Sequence, residues 1–160
     1  AQTARDRASH TLIKAAFLHE FASFVEWPEG SFASTTSPLR IGVLGDDDVF
    51  RDLADTSRDR DRDGRPVQAL RLAPGDALNG YHILYMKGSN ARLAEWLARV
   101  PEAVLTVTDS DGALPRGGVI SFFLEDGRVR LGASVEAATR QRLRLSPRLL
   151  SAARIVQAIP

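Results

Sequence analysis

Residues 119–135 read VISFFLEDGRVRLGASV, and this stretch decides the fold class. Asp126-Gly127 separates two runs of strand-forming residues. A two-residue Asp-Gly connection favours a type I′ turn, whose central positions both need positive φ. Such a turn sets the register: Glu125 faces Arg128, Phe123 faces Arg130 and Phe122 faces Leu131. One side of the hairpin then carries Ile120, Phe122, Leu124, Val129, Leu131 and Val135, a face for the core. The other carries Ser121, Phe123, Glu125, Arg128, Arg130, Gly132 and Ser134. Phe123 is the large apolar residue on that polar side, beside a glycine with no side chain. An aromatic ringed by charge is a common binding anchor, so Phe123, Arg130, Glu125 and Arg128 are candidate contact residues. Cover by a helix or by a second copy of the chain is the competing reading.

Working back from the hairpin, strand-like runs alternate with helical ones. LRIGVLG (39–45), RPVQALRLA (65–73), HILYM (82–86) and AVLTVTD (103–109) have strand length and composition, the last ending in an Asp-Ser-Asp-Gly turn. Asp46 caps a helix whose apolar side is Val49, Phe50 and Leu53. Ser89 caps another, lined by Leu93, Trp96, Leu97 and Val100. The periodicity predicts a first helix over 11–27, with Ile13, Phe17, Phe21 and Phe24 on one face, stopped by Pro28 and Gly30. Glu20 falls within that arc, as a snorkelling or Arg-paired side chain or as a buried carboxylate. Beyond the hairpin come a short helix over 136–143 and one capped by Ser146 with Pro147 at its first position. The pattern predicts one α/β domain over residues 1–160, the first ten a flexible segment. Its sheet is mixed and mostly parallel, carries the hairpin at its C-terminal side, and has helices on both faces.

The composition is that of an ordinary globular chain: 160 residues, 44% hydrophobic, 26% charged, net charge +1. That balance gives no pull toward nucleic acid. No apolar run approaches the ~20 residues that span a bilayer. The polar opening AQTARDRAS reads as the start of an exported protein after removal of its signal peptide. The chain has no cysteine, which removes disulfides, zinc–thiolate sites and thiol nucleophiles.

Motifs for chemistry fail on inspection. Asp59, Asp61 and Asp63 before Gly64 resemble the first half of a calcium loop, but the twelfth position is Leu70 and Arg60, Arg62 and Arg65 oppose a cation. Gly42 and Gly45 follow a strand without a complete phosphate-binding pattern, and Asp46, Asp47 and Asp48 would repel a phosphate there. His10, His19 and His82 lack ligand-spaced partners, and His82 reads as a hydrogen-bonded structural residue. No serine sits in G-x-S-x-G. The reading is therefore of a non-enzyme without catalytic, cofactor or metal residues. From residue 137 onward, Arg140, Arg142, Arg144, Arg148 and Arg154 occur with no acid. They form a solvated face or a surface for an acidic partner or anionic lipid, and Arg144 and Arg148 join the candidate contact set.

The run KAAFLHEFASFVEWP (14–28) resembles the N-terminal helix signature of the YfiR family. The likeness continues in order through IGVLGDD (41–47), GRPV (64–67), YHILYM (81–86), VLTVTD (104–109), GGVISFFLEDGRVR (117–130) and SPRLLSAARIV (146–156). The resemblance implies a periplasmic regulator, often dimeric, that represses a membrane diguanylate cyclase by binding its periplasmic sensor part. It also implies relief of that repression by an outer-membrane lipoprotein. Many relatives carry Cys where this chain has Gly42 and Tyr81, at positions expected to be neighbours, so redox control through that bond does not apply here. Arg142 stands near a position that is usually Gly. A small-molecule-binding module feeding a membrane sensor is the alternative function. The loops after Leu44, Met86 and Thr108 would then form its site.

Overall fold

The Asp126-Gly127 turn closes in the predicted register, with Phe122 opposite Leu131, Phe123 opposite Arg130 and Glu125 opposite Arg128. Its φ values are 52° and 73°, as a type I′ turn requires. The computed structural model describes residues 4–110 and 118–157. The chain begins with α1 (Ala4–Phe24), β1 (Val25–Glu26), β2 (Leu39–Leu44), α2 (Asp47–Ser57) and β3 (Val67–Leu72). There follow β4 (Ile83–Gly88), α3 (Asn90–Leu97), β5 (Leu105–Ser110), β6 (Ile120–Glu125) and β7 (Arg128–Ser134). It ends with α4 (Val135–Arg140), β8 (Arg144–Leu145), α5 (Pro147–Ala152) and β9 (Ile155–Gln157).

The main sheet has the order β3-β2-β4-β5-β6-β7-β9. Its pairs are parallel except the β6–β7 hairpin. The protein is thus the mixed, mostly parallel α/β domain expected from the sequence, with helices on both faces. Alternation along the strands divides the core. Ile83 and Tyr85 of β4 join Ile41, Val43, Leu105 and Val107 in the cluster under α1 and α2. Leu84 and Met86 point the other way, with Leu44, Leu93 and Trp96, under α3. The centre of the larger cluster is aromatic. Phe122 lies 6.1 Å from Phe17, 6.3 Å from Phe21 and 5.9 Å from Tyr85, centroid to centroid.

Several details depart from the sequence reading. Helix α1 begins at Ala4 and takes in residues 4–10 of the expected flexible segment; residues 1–3 lie outside the described residues. His10 Nε2 holds this end to the Gly127 carbonyl at 2.9 Å. The helix stops at Phe24 because Val25 and Glu26 turn extended to pair with Leu145 and Arg144. Ile13, placed on the core face, is 42% exposed. The stripe facing the sheet runs instead through His10, Lys14, Leu18 and Phe21, because Lys14 is drawn inward to a carboxylate, leaving Ile13 on the flank. Leu124 is 50% exposed although it lies on the core side of the hairpin, since it sits at the tip, next to the turn. Val135 opens α4 and is half-buried. That helix ends at Arg140, short of the expected 136–143, and Arg142 leaves with φ 61°. Of the Asp-Ser-Asp-Gly turn, residues 111 and 112 lie outside the described residues.

Gly42 and Tyr81 are neighbours, as expected: a Cβ on Gly42 would come 3.1 Å from Tyr81 Cδ1. The tyrosine ring and the guanidinium of Arg40, 4.9 Å over it, occupy this corner.

His82, next in the chain, organises the same end of the sheet. Its Nδ1 accepts the Arg40 amide at 3.0 Å, so the proton is on Nε2, which donates to the Ser31 carbonyl at 2.9 Å. Phe32 stacks on the imidazole at 4.2 Å and Arg65 lies 3.7 Å over Phe32. The histidine is structural, as predicted. Burial lowers the pKa of His82, and likewise that of His19, which donates to the Arg60 carbonyl. Because both folded-state values lie below the unfolded ~6.5, the unfolded chain binds more protons in that window. Stability is therefore complete above pH ~6.5 and falls as the pH drops below it. Thermal melts across pH ~8 to ~5 are expected to show this decline, shallower in His82→Gln. A melting temperature constant across the window would contradict the buried neutral histidines.

Candidate docking face

Phe123, Glu125, Arg128 and Arg130 come together as the register dictates, on the side of β6 and β7 away from α1. The helix on that side among the described residues, α3, packs on β4 and β5. The space that Gly132 leaves free is taken by Ser121 Oγ, 2.9 Å from where a Cβ would lie, and the ring of Phe123 borders it, with Cε1 3.8 Å from the same point. Beside Gly132 in register is Ile155 of β9, 37% exposed. The apolar pair is bordered by charge. Glu125 Oε1 accepts from Arg154 Nε at 2.8 Å and lies 3.7 Å from Arg130 Nε. An aromatic and an aliphatic residue within a charged rim is the usual anatomy of a small protein-binding patch.

Arg144 and Arg148 are not part of this patch. Arg144 Nε is 3.9 Å from Glu26 Oε2 across the β1–β8 pair. The Arg148 guanidinium lies 5.1 Å over Phe24, at the end of α1. The run of arginines without nearby acids is balanced in space. Arg140 meets Glu136, Arg142 meets Glu102 and Arg154 meets Glu125. Exposed pairs of this kind contribute little to stability but cancel the local field.

A second polar assembly, absent from the sequence reading, lies inside the fold. Tyr85 is fully buried, and its hydroxyl sits 2.7 Å from Asp109 Oδ2 and 3.0 Å from Asp46 Oδ2. Lys14 of α1 donates to the same Asp109 oxygen at 2.7 Å. Lys87 stands 3.8 Å from Asp46 Oδ2. Asp46 also caps α2, accepting the Val49 amide through Oδ1. Burial, with the two carboxylates adding to it, pushes the Tyr85 hydroxyl well above its ordinary pKa, so it remains a donor. One chain of contacts thus joins Lys87 on β4 to Lys14 on α1. Its signal in the sequence was a tyrosine within an otherwise apolar strand, whose hydroxyl must find a partner once buried.

Of the three loops suggested for a small ligand, the one after Thr108 falls largely on residues 111–117, outside the described residues. Gly45, after Leu44, and Lys87, after Met86, border one cleft, whose third side is the segment after β3. No helix among the described residues is long and apolar enough to cross a membrane.

A family model described as YfiR/HmsC-like matches residues 11–154. No curated protein matches the chain.

Proposed function

Because the chain belongs to the YfiR/HmsC-like family, we propose that it is a periplasmic regulator that binds and represses the periplasmic sensor part of a membrane diguanylate cyclase. It acts by binding and not by catalysis. The observation that carries the reading, beside family membership, is the face around Phe123. A half-buried ring stands beside a glycine, with Ile155 on the adjacent strand, within a border of paired charges. Such a ring is already ordered in the free protein, so docking costs it little side-chain entropy. Glu125, Arg128 and Arg130 supply the polar rim that selects the partner. In this reading Arg144 and Arg148 belong to a separate surface at the end of α1, available to an outer-membrane lipoprotein or to a second copy of the chain.

The test is a titration of the purified chain against the periplasmic segment of the cyclase encoded nearest its gene. A dissociation constant at or below about 1 μM is expected, equivalent to about −8 kcal/mol. Phe123→Ala is expected to weaken binding about tenfold or more, with the melting temperature nearly unchanged. No binding at several salt concentrations would reject the cyclase as partner. Normal binding by the folded Phe123→Ala protein would reject this face.

A further inference from the structure

We propose that the cleft at the carboxyl ends of β2, β3 and β4 binds a small organic anion, through its carboxylate or phosphate group, on Lys87 and Arg92. The inference is independent of the docking face and of the partner assigned to it. The topology supplies the crevice. Strand β2 continues through α2 to β3 on one side, whereas β4 continues through α3 to β5 on the other. The chain therefore diverges in opposite directions between β2 and β4, and open α/β sheets form ligand crevices at such points. Gly45 keeps the crevice narrow at its base. Its φ is 88°, and a Cβ there would run into the Lys87 carbonyl, so no other residue lets these two strand ends approach so closely.

The cleft has a volume of about 850 Å³, within the usual range for a metabolite site. Its apolar wall is Leu72 and Trp96, both largely buried. Its charges are not equally available. Arg71 is engaged by Asp47 at 3.7 Å. Asp76 turns its carboxylate onto the Ala73 amide at 2.8 Å. Among the described residues Lys87 is paired only with the distant oxygen of Asp46, which already receives the Tyr85 hydroxyl, so its ammonium keeps donors for a ligand. Among the described residues Arg92 is in no ion pair, and its guanidinium lies 5.8 Å over the Trp96 ring. Both cations stand on the side where α3 begins, and the first turn of α3 contains no acid. Of the aspartates at the start of α2, Asp47 also lines the cleft, where Arg71 is its partner. A ligand would set its anionic group between Lys87 and Arg92 and its carbon skeleton along Trp96 and Leu72.

The test is an amide-resolved NMR titration of the whole chain with inorganic phosphate and, separately, citrate, at constant ionic strength. Saturable shifts at Gly45, Gly88 and the Trp96 indole N–H are expected with at least one probe, with a dissociation constant of about 1 mM or tighter. Arg92→Gln and Lys87→Gln are each expected to weaken that binding about tenfold. A response to phosphate alone would mark a phosphorylated ligand, and one to citrate alone a carboxylate. Non-saturating shifts, shifts spread over arginines outside the cleft, or unchanged binding in both variants would overturn the proposal.

Discussion

Lys14→Met is expected to destabilise the protein by about 3–5 kcal/mol, the cost of removing one partner from a buried ion pair. For a chain of this length that lowers the melting temperature by roughly 10 °C. Both members of the Lys14–Asp109 pair are about nine-tenths buried, with side-chain exposures of 11% and 10%. Without the ammonium, Asp109 would retain a single side-chain donor among the described residues, the Tyr85 hydroxyl already shared with Asp46. The effect belongs to the orphaned carboxylate more than to the lost attraction, and a second substitution separates the two. Adding Asp109→Asn to Lys14→Met removes the uncompensated charge and is expected to recover much of the loss. Chemical denaturation of the parent chain, Lys14→Met, Asp109→Asn and the double variant measures the coupling. A loss below about 1 kcal/mol in the single variant would mean that water reaches Asp109 and the pair behaves as a surface one.

Phe122→Ala is expected to cost a similar amount, about 3–5 kcal/mol, for a different reason. The ring is 1% exposed and joins Phe17, Phe21 and Tyr85, linking α1, the hairpin and β4. Its removal deletes apolar contact and leaves a cavity that the remaining rings, held on α1 and β4, cannot readily close. Denaturant midpoints measure the loss, and near-UV circular dichroism should lose the signal of the stacked rings. Phe122→Leu, which fills most of the volume, should cost far less. A loss below about 1 kcal/mol in Phe122→Ala would show that the cluster collapses to fill the gap. The adjacent Phe123→Ala, whose ring points to the other side, should be nearly silent in the same assay. Two neighbouring phenylalanines are thus assigned opposite roles, one to stability and one to recognition.

The main sheet was legible because its signals are local. Apolar runs such as HILYM, the Asp-Gly turn, and the caps Asp46, Ser89 and Ser146 each act within a few residues, and each cap accepts the expected amide. The short strands β1, β8 and β9 were not legible, since two or three residues contain no period. The arginine-rich end was misleading for a related reason. Its counter-charges, Glu26, Glu102 and Glu125, lie earlier in the chain and meet it only after folding. The patch around Phe123 could be read because one hairpin builds most of it, Ile155 excepted. The Lys14–Asp109–Tyr85–Asp46 assembly could not, because it needs three strands and a helix side by side.

The seating of α1 also sets the order in which the molecule can be made. Its fastenings are remote in the chain: His10 to Gly127 spans 117 residues and Lys14 to Asp109 spans 95. Closing loops of that length is slow compared with forming a helix. At ordinary rates of synthesis, the sequence of α1 precedes its hairpin partner by on the order of ten seconds. Throughout that interval Leu18, Phe21 and the rest of the core stripe lack the hairpin's share of their cover, and the chain is open to chaperones, to proteases and to threading through a narrow channel.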